Sequence, residues 1–163
     1  MDLYIDFVAN TQIEKPFSAF RKGFLHVCAG PPLSMCTATE LELIICGQES
    51  SELDLKALER STKYDDGFTA EHPVIVWFWR FAHGLTTALK KDLLNFVTAS
   101  DRVPLGGLGN LLFVIQRNGP DTERLPSSLT CFGRLLLPEY SSEQRLCDRM
   151  ITAIQNSQGF GLV

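Results

Sequence analysis

No stretch of this sequence stays apolar for long. The longest such runs, residues 41–46 with Glu42 inside, 73–79 and 111–115, fall far short of the roughly 20 residues a membrane-spanning helix needs, so the reading is of no membrane partner. Nor do the first residues read as an export signal: Asp2, Asp6 and Glu14 interrupt them, and no basic segment leads into an apolar one. Basic residues are not in excess. Fifteen Lys and Arg against 19 Asp and Glu give a net charge of −4, and the two signs are interspersed, which argues against nucleic acid as a partner. Paired cysteines are also lacking. Cys28, Cys36, Cys46, Cys131 and Cys147 are five, widely spaced, with no Cys-x-x-Cys, arithmetic that fits neither a disulfide framework nor a zinc site. Free thiols in a reducing compartment follow, most of them expected as small buried hydrophobes, with the cytoplasm or nucleus as the location. Gly106, Gly107 and Gly109 are not followed by Lys-Ser/Thr, which excludes a phosphate-binding loop. No repeat or low-complexity tract is present. Neither a metal nor a cofactor is expected.

What remains is an ordinary globular composition, 45% hydrophobic and 21% charged over 163 residues, enough for one domain with a core of its own. The apolar positions Ile13, Phe17, Phe20, Phe24 and Val27 recur at threes and fours and predict a one-faced helix. Pro16 is expected in its first turn, so the helix should begin at Thr11 or Gln12. Ala29-Gly30-Pro31-Pro32 breaks the pattern. Thr37-Ala38-Thr39-Glu40 is a capping box opening a helix to about Cys46, which Gly47 can close. Residues 48–51 form a polar connector, read as a hinge between residues 1–47 and 48–163.

Beyond it, residues 54–63 read as a short helix and Asp65-Asp66-Gly67 as a turn. A helix over 74–83 carries Ile75, Phe78, Trp79 and Ala82 on one face, with one of Trp77 and Trp79 in the core and the other half exposed. Thr86 or Thr87 caps the next helix, which reaches Val97. Residues 111–116 predict one strand and residues 129–137 a second that contains or borders Cys131. Ser141-Ser142-Glu143-Gln144 opens a last helix, with Gly159 as its end. Few strands among several amphipathic helices make the fold class α+β.

One thiol stands out by position. In Leu125-Pro126-Ser127-Ser128-Leu129-Thr130-Cys131-Phe132 a cysteine sits between a Pro/Ser turn and the apolar run at 135–137. A group placed where a loop meets a strand is held on one side and reachable from the other. Cys131 is the candidate nucleophile.

A longer series of segments extends this. Residues 17–24, 40–47, Tyr64-Asp65-Asp66-Gly67, Trp77-Phe78-Trp79, Phe96-Val97-Thr98 and residues 102–108 come first; residues 118–126, Thr130-Cys131-Phe132, 137–142 and Gly159-Phe160-Gly161 follow. In that order they resemble the C-terminal part of a HECT-type ubiquitin-protein ligase, the branch typified by the papillomavirus-oncoprotein-associated ligase being nearest. The resemblance implies a small mixed sheet with several amphipathic helices, residues 48–163 matching the family's C-lobe and residues 1–47 the helices that end its N-lobe. It implies that Cys131 accepts ubiquitin as a thioester and passes it to a substrate lysine. The partners would be ubiquitin, a ubiquitin-conjugating enzyme and protein substrates, although the subdomain that docks the conjugating enzyme precedes these segments in the family and has no counterpart here. It also marks Phe160 as the aromatic that helps place the C-lobe during transfer.

The chemistry is within a cysteine's reach. Exchange between thioesters is nearly isoenergetic and needs no strong base, and a thiol is already partly ionised near neutral pH. Thr130 and the backbone N–H groups beside it are candidate donors to a transient oxyanion, Phe132 flanks the thiol, and Arg102 and Arg124 are candidates to support a thiolate. Two positions depart from the family pattern: Leu129 replaces the usual histidine two residues before the cysteine, and Ala99 replaces a glycine. His72 and His83 read as helix-edge histidines. The alternative function is a non-catalytic module that binds ubiquitin or interferes with a full ligase; a cysteine hydrolase is weaker, because no His/Asp partner can be named. The apolar face of residues 1–47 is expected to fold back or to drive self-association.

Overall fold

The computed structural model describes residues 2–50 and 52–157, and Ser51, Gly159 and Phe160 lie outside them. The chain divides into two compact units, residues 1–42 and 43–163.

The first unit is helical. Helix α1 (Asp2–Asp6), a π-helical turn (Phe7–Thr11) and α2 (Gln12–Cys28) follow one another, and Asp6, Thr11 and Gln12 all keep right-handed helical angles across the joins. The helix therefore starts well before Thr11, and Pro16 lies inside it rather than in its first turn. Pro16 cannot donate to the carbonyl four residues back. The wider turn, in which the Gln12 N–H reaches Phe7 O, sits just upstream of that missing rung. Helix α3 (Pro31–Ser34) is one turn, and α4 (Ala38–Cys46) follows. The capping box ahead of α4 forms as the spacing predicts: the Glu40 carboxylate accepts from the Thr37 N–H at 2.7 Å, and the Glu40 N–H donates to Thr37 Oγ1 at 3.3 Å. The bond from the Thr37 N–H holds the Glu40 carboxyl below its usual pKa.

The second unit holds the core. Asp54 Oδ1 accepts from the Ala57 N–H and caps α5 (Leu55–Ser61). Strand β1 (Lys63–Asp65) comes directly after, inside a stretch read as helix and turn. Helix α6 (Pro73–Gly84) is capped by His72, whose Nδ1 accepts from the Val74 N–H, with Pro73 in the first turn, where its missing donor costs nothing. It buries Ile75, Phe78, Trp79 and Ala82, while Trp77 is half-buried, as the spacing requires. Helix α7 (Thr87–Thr98) is capped by Thr86 Oγ1 and ends on Ala99 in the left-handed conformation. Helix α8 (Glu143–Gln155) starts at the Ser142 cap and stops at Gln155, four residues short of Gly159. It packs on both α6 and α7, and its inner face buries Leu146, Met150 and Ile154.

The fold is α+β, with a small mixed sheet, as the sequence and the resemblance both led us to expect. The four strands run in the order β1-β2-β4-β3, where β2 is Val114–Arg117, β3 Ser127–Leu129 and β4 Arg134–Leu137. β1, β2 and β4 are mutually parallel, and β3 is antiparallel to β4. The single strand expected over 129–137 is thus a hairpin. Cys131 lies in its turn, at the end of the sheet where β1, β2 and β4 begin. Ile115, Leu135 and Leu137 point from the sheet into the core and are fully buried.

Candidate functional site

The hairpin turn is a one-turn 3-10 helix, Thr130–Phe132, closed by the Gly133 N–H donating to Thr130 O at 3.2 Å. Gly133 then takes φ 55° and ψ 37°, the left-handed region in which glycine is at ease. A side chain is excluded there on a second count, because a Cβ would stand 2.0 Å from the Leu112 carbonyl oxygen. The Gly133 carbonyl accepts from the Val114 N–H at 3.0 Å and opens the β2/β4 ladder. On the other side of the turn, Ser128 Oγ donates to the Phe96 carbonyl at 2.6 Å and ties β3 to the last turn of α7.

Between these two attachments the Cys131 thiol is exposed. Phe132 and Leu129 flank it, 66% and 45% exposed, and Thr130 is half-buried. Thr130, Cys131 and Phe132 therefore share one rigid turn, in which backbone N–H groups and a hydroxyl lie beside a reachable thiol. The other sequence candidates are placed differently. Arg102 donates to the Gly47 carbonyl at 3.4 Å, next to the antiparallel bridge between Gln48 and Val103. Gly47 has φ 77°, and a Cβ on it would meet Val103 O at 2.5 Å, so Arg102 works where α4 ends. Arg124 contributes its backbone: its N–H donates to Thr122 Oγ1, and its carbonyl accepts from the Tyr140 hydroxyl at 2.7 Å. That hydroxyl anchors the loop leading into β3, and burial pushes its pKa up to about 12. Neither arginine bond involves Cys131. Phe160 lies outside the described residues.

The two histidines of the second unit are engaged elsewhere. His83 Nε2 is 2.7 Å from Glu59 Oε2, and His72 Nε2 is 3.4 Å from Glu139 Oε1. Arg134, which opens β4, bonds to Asp65 at 2.8 Å and to Gln116 at 2.5 Å across the sheet, and this pairing holds the Asp65 carboxyl low. The expectation of mostly buried cysteines fails. Cys28, Cys46 and Cys131 are exposed, and Cys36 and Cys147 are intermediate; burial raises the Cys147 thiol pKa. Among the described residues, no cluster of three metal-ligating side chains occurs, and no helix is long and apolar enough to cross a membrane.

Sequence reasoning missed Ser128, Gly133 and Arg134. Glycine two residues past the cysteine was the available turn signal. The hydroxyl of Ser128 left none, because its partner is a backbone carbonyl 32 residues away.

The structure thus presents an exposed thiol on a hairpin turn, at one end of a small mixed sheet backed by helices. The match to known proteins is more specific: the family model for the HECT-domain (ubiquitin-transferase) covers residues 1–163, and the chain belongs to that family. It is 45% identical over 162 residues to the mouse "Probable E3 ubiquitin-protein ligase HECTD2", which covers 99% of this chain and 20% of the relative. It is 39% identical over 163 residues to human "Probable E3 ubiquitin-protein ligase HERC4", covering 100% of this chain and 15% of the relative. "Probable E3 ubiquitin-protein ligase HUL4" of Eremothecium gossypii is 38% identical over 159 residues, 98% of this chain and 19% of the relative. The chain thus spans a fifth or less of the length of these relatives.

Proposed function

We propose that the chain accepts ubiquitin as a thioester on Cys131 and transfers it to a lysine of a protein substrate. The observation that carries this reading is the exposed Cys131 thiol on a turn fixed from both sides, within a chain that matches the HECT-domain (ubiquitin-transferase) model throughout. Cys131 Sγ attacks the ubiquitin C-terminal carbonyl of a donor thioester. The donor C–S bond breaks, the donor leaves as thiolate, and the new C–S bond forms with no change of oxidation state. A lysine amine then displaces Cys131, giving an amide, returning the thiolate and releasing the amine proton to solvent. Thr130 and the neighbouring N–H groups stabilise the oxyanion of each step. Phe132 flanks the incoming tail, Phe160 places the lobe for the second step, and Arg102 and Arg124 act through the backbone they hold.

On the same reading, residues 48–163 are the C-lobe and residues 1–47 end the N-lobe, with the papillomavirus-oncoprotein-associated branch as the nearest kin. Ubiquitin, a conjugating enzyme and protein substrates are the partners, in the cytoplasm or nucleus. Incubation with charged conjugating enzyme, or with ubiquitin carried as a thioester of a small thiol, should give a ubiquitin adduct that thiol reductants cleave. Cys131→Ala should abolish it, and an adduct persisting in that variant sinks the assignment. Binding of ubiquitin with no adduct at high donor concentration decides for a non-catalytic module. That second reading turns on Leu129, which stands where the family usually has histidine, and Leu129→His is its comparator.

A further inference from the structure

We infer that Ser128 is a positioning residue for the Cys131 thiol, acting by capping the last turn of α7. The inference rests on the acyl-transfer reading of Cys131.

The final carbonyls of a helix have no partner within it. In α7, Asn95 O is served by the Ala99 N–H at 2.8 Å, and Leu94 O receives the Thr98 hydroxyl at 2.8 Å. The next carbonyl, Phe96 O, would be served in a continuing helix by the N–H of Ser100. Ala99 turns the chain left-handed, however, and the Ser100 N–H points instead to Thr98 Oγ1 at 3.2 Å. Ser128 Oγ fills the place, at 2.6 Å. Within β3 it is the inward-facing residue, opposite the fully buried Leu135, while Ser127 and Leu129 on either side are exposed.

The cap therefore reaches from α7 to a point three residues before the thiol, and Gly133 holds the chain two residues after it. A turn fixed at both ends keeps one direction for the thiol. Acyl exchange between two macromolecular thiols depends on that direction, since a displacement of about 1 Å can cost a factor of about 100. Alkylation by a small reagent approaching an exposed thiol does not.

The test compares Ser128→Ala and Ser128→Thr with the wild-type chain in three measurements: adduct formation from ubiquitin carried as a thioester of a small thiol, iodoacetamide alkylation of Cys131 across pH, and amide exchange at Gly133. Ser128→Ala should form the adduct about tenfold more slowly at saturating donor, with the half-saturating concentration unchanged. Its alkylation rate and pH profile should stay within about twofold, and Ser128→Thr, which keeps the donor, should recover to within about threefold of wild type. A Ser128→Ala rate equal to wild type overturns the inference, as does a Ser128→Thr rate as slow as that of Ser128→Ala. If Ser128→Ala fails to fold, the near-isosteric pair Ser128→Thr and Ser128→Val decides: a tenfold gap supports the role of the hydroxyl, and equal rates overturn it. If the wild-type chain forms no Cys131-dependent adduct, the acyl-transfer reading fails on its own account. The positioning role is then judged at Gly133, where Ser128→Ala should speed exchange about tenfold and unchanged exchange refutes it.

Discussion

Residues 2–42 and residues 43–157 are equally patterned and unequally folded. Helix α2 carries Ile13, Phe17, Phe20, Phe24 and Val27 at helical spacing, and helix α6 carries Ile75, Phe78, Trp79 and Ala82. In α6 those four are buried to 4% exposure or less. In α2 no residue is buried, and Phe17, Phe20 and Val27 are 56%, 64% and 82% exposed. Among the described residues its rings pair with one another, Phe17 with Phe20 at 6.4 Å and Phe20 with Phe24 at 5.9 Å between centroids. Amphipathic spacing makes a helix ready to pack; only a partner face converts that into stability. The same spacing thus states a completed contact in one unit and an open requirement in the other.

The largest expected effect tests this contrast. Both tryptophans lie in α6, so their fluorescence follows the second unit alone. Phe78→Ala should lower its unfolding free energy by about 3–5 kcal/mol, the usual cost of emptying a buried aromatic site. Phe20→Ala should leave the same urea transition within about 0.5 kcal/mol, as for an exposed substitution. A loss above about 2 kcal/mol on Phe20→Ala would mean that the α2 face is covered in solution. The expected folding back or self-association of residues 1–47 would then account for it, and light scattering at several concentrations would tell the two apart.

The two units also differ in how much of them could be read in advance. Helices are legible because their signals repeat: the Thr37/Glu40 box, Asp54, Thr86 and Ser142 each mark a start by a hydrogen bond made within three residues, and Pro73 marks one by its fixed φ in the first turn. The sheet is less so. β1 has three residues, Lys-Tyr-Asp, and is a strand only because β2 lies beside it at Lys63↔Val114. The Cys131 hairpin reads as one strand because Leu129, Cys131, Phe132 and residues 135–137 make a largely apolar stretch, broken by Thr130, Gly133 and Arg134. That glycine matters through contact with the Leu112 carbonyl, a non-local fact. Cys131 itself was legible as a thiol at a loop edge, and its assignment came from the ordered family segments. The supports at Ser128 and Gly133 were not legible, since each depends on a backbone atom brought near by the fold.

A smaller effect concerns the loop that carries the chain into β3. The Tyr140 hydroxyl is raised from 10.0 to about 12, chiefly by burial, and donates to Arg124 O. Its folded pKa lies above the unfolded value, so its contribution is complete below about pH 10 and is lost as pH rises from there through about 12. Tyr140→Phe should cost about 1 kcal/mol at neutral pH, the net worth of one hydrogen bond. That difference from wild type should shrink as urea midpoints are measured from pH 9 upward. Tyr64, also raised by burial, is common to both chains and cancels. A difference that stays constant to pH 11.5 would show that the hydroxyl does not titrate as the burial requires.

The smallest effect has the opposite sign. Ala99 ends α7 at φ 59° and ψ 21°, where an L-residue with a Cβ is disfavoured by about 1–2 kcal/mol and glycine is the common occupant. Ala99→Gly relieves that strain and gives back about 0.5–1 kcal/mol through the greater freedom of glycine in the unfolded chain, so the second unit should gain about 0.5–1 kcal/mol net. The gain should appear in the tryptophan-detected transition alone and leave the helicity of residues 2–42 where it was. The left-handed turn also diverts the Ser100 N–H away from Phe96 O, and glycine preserves it, so the Ser128 cap should survive the substitution. A destabilised Ala99→Gly would mean that the Ala99 methyl makes a contact worth more than its strain, and that α7 is held at this end by packing as well as by its cap.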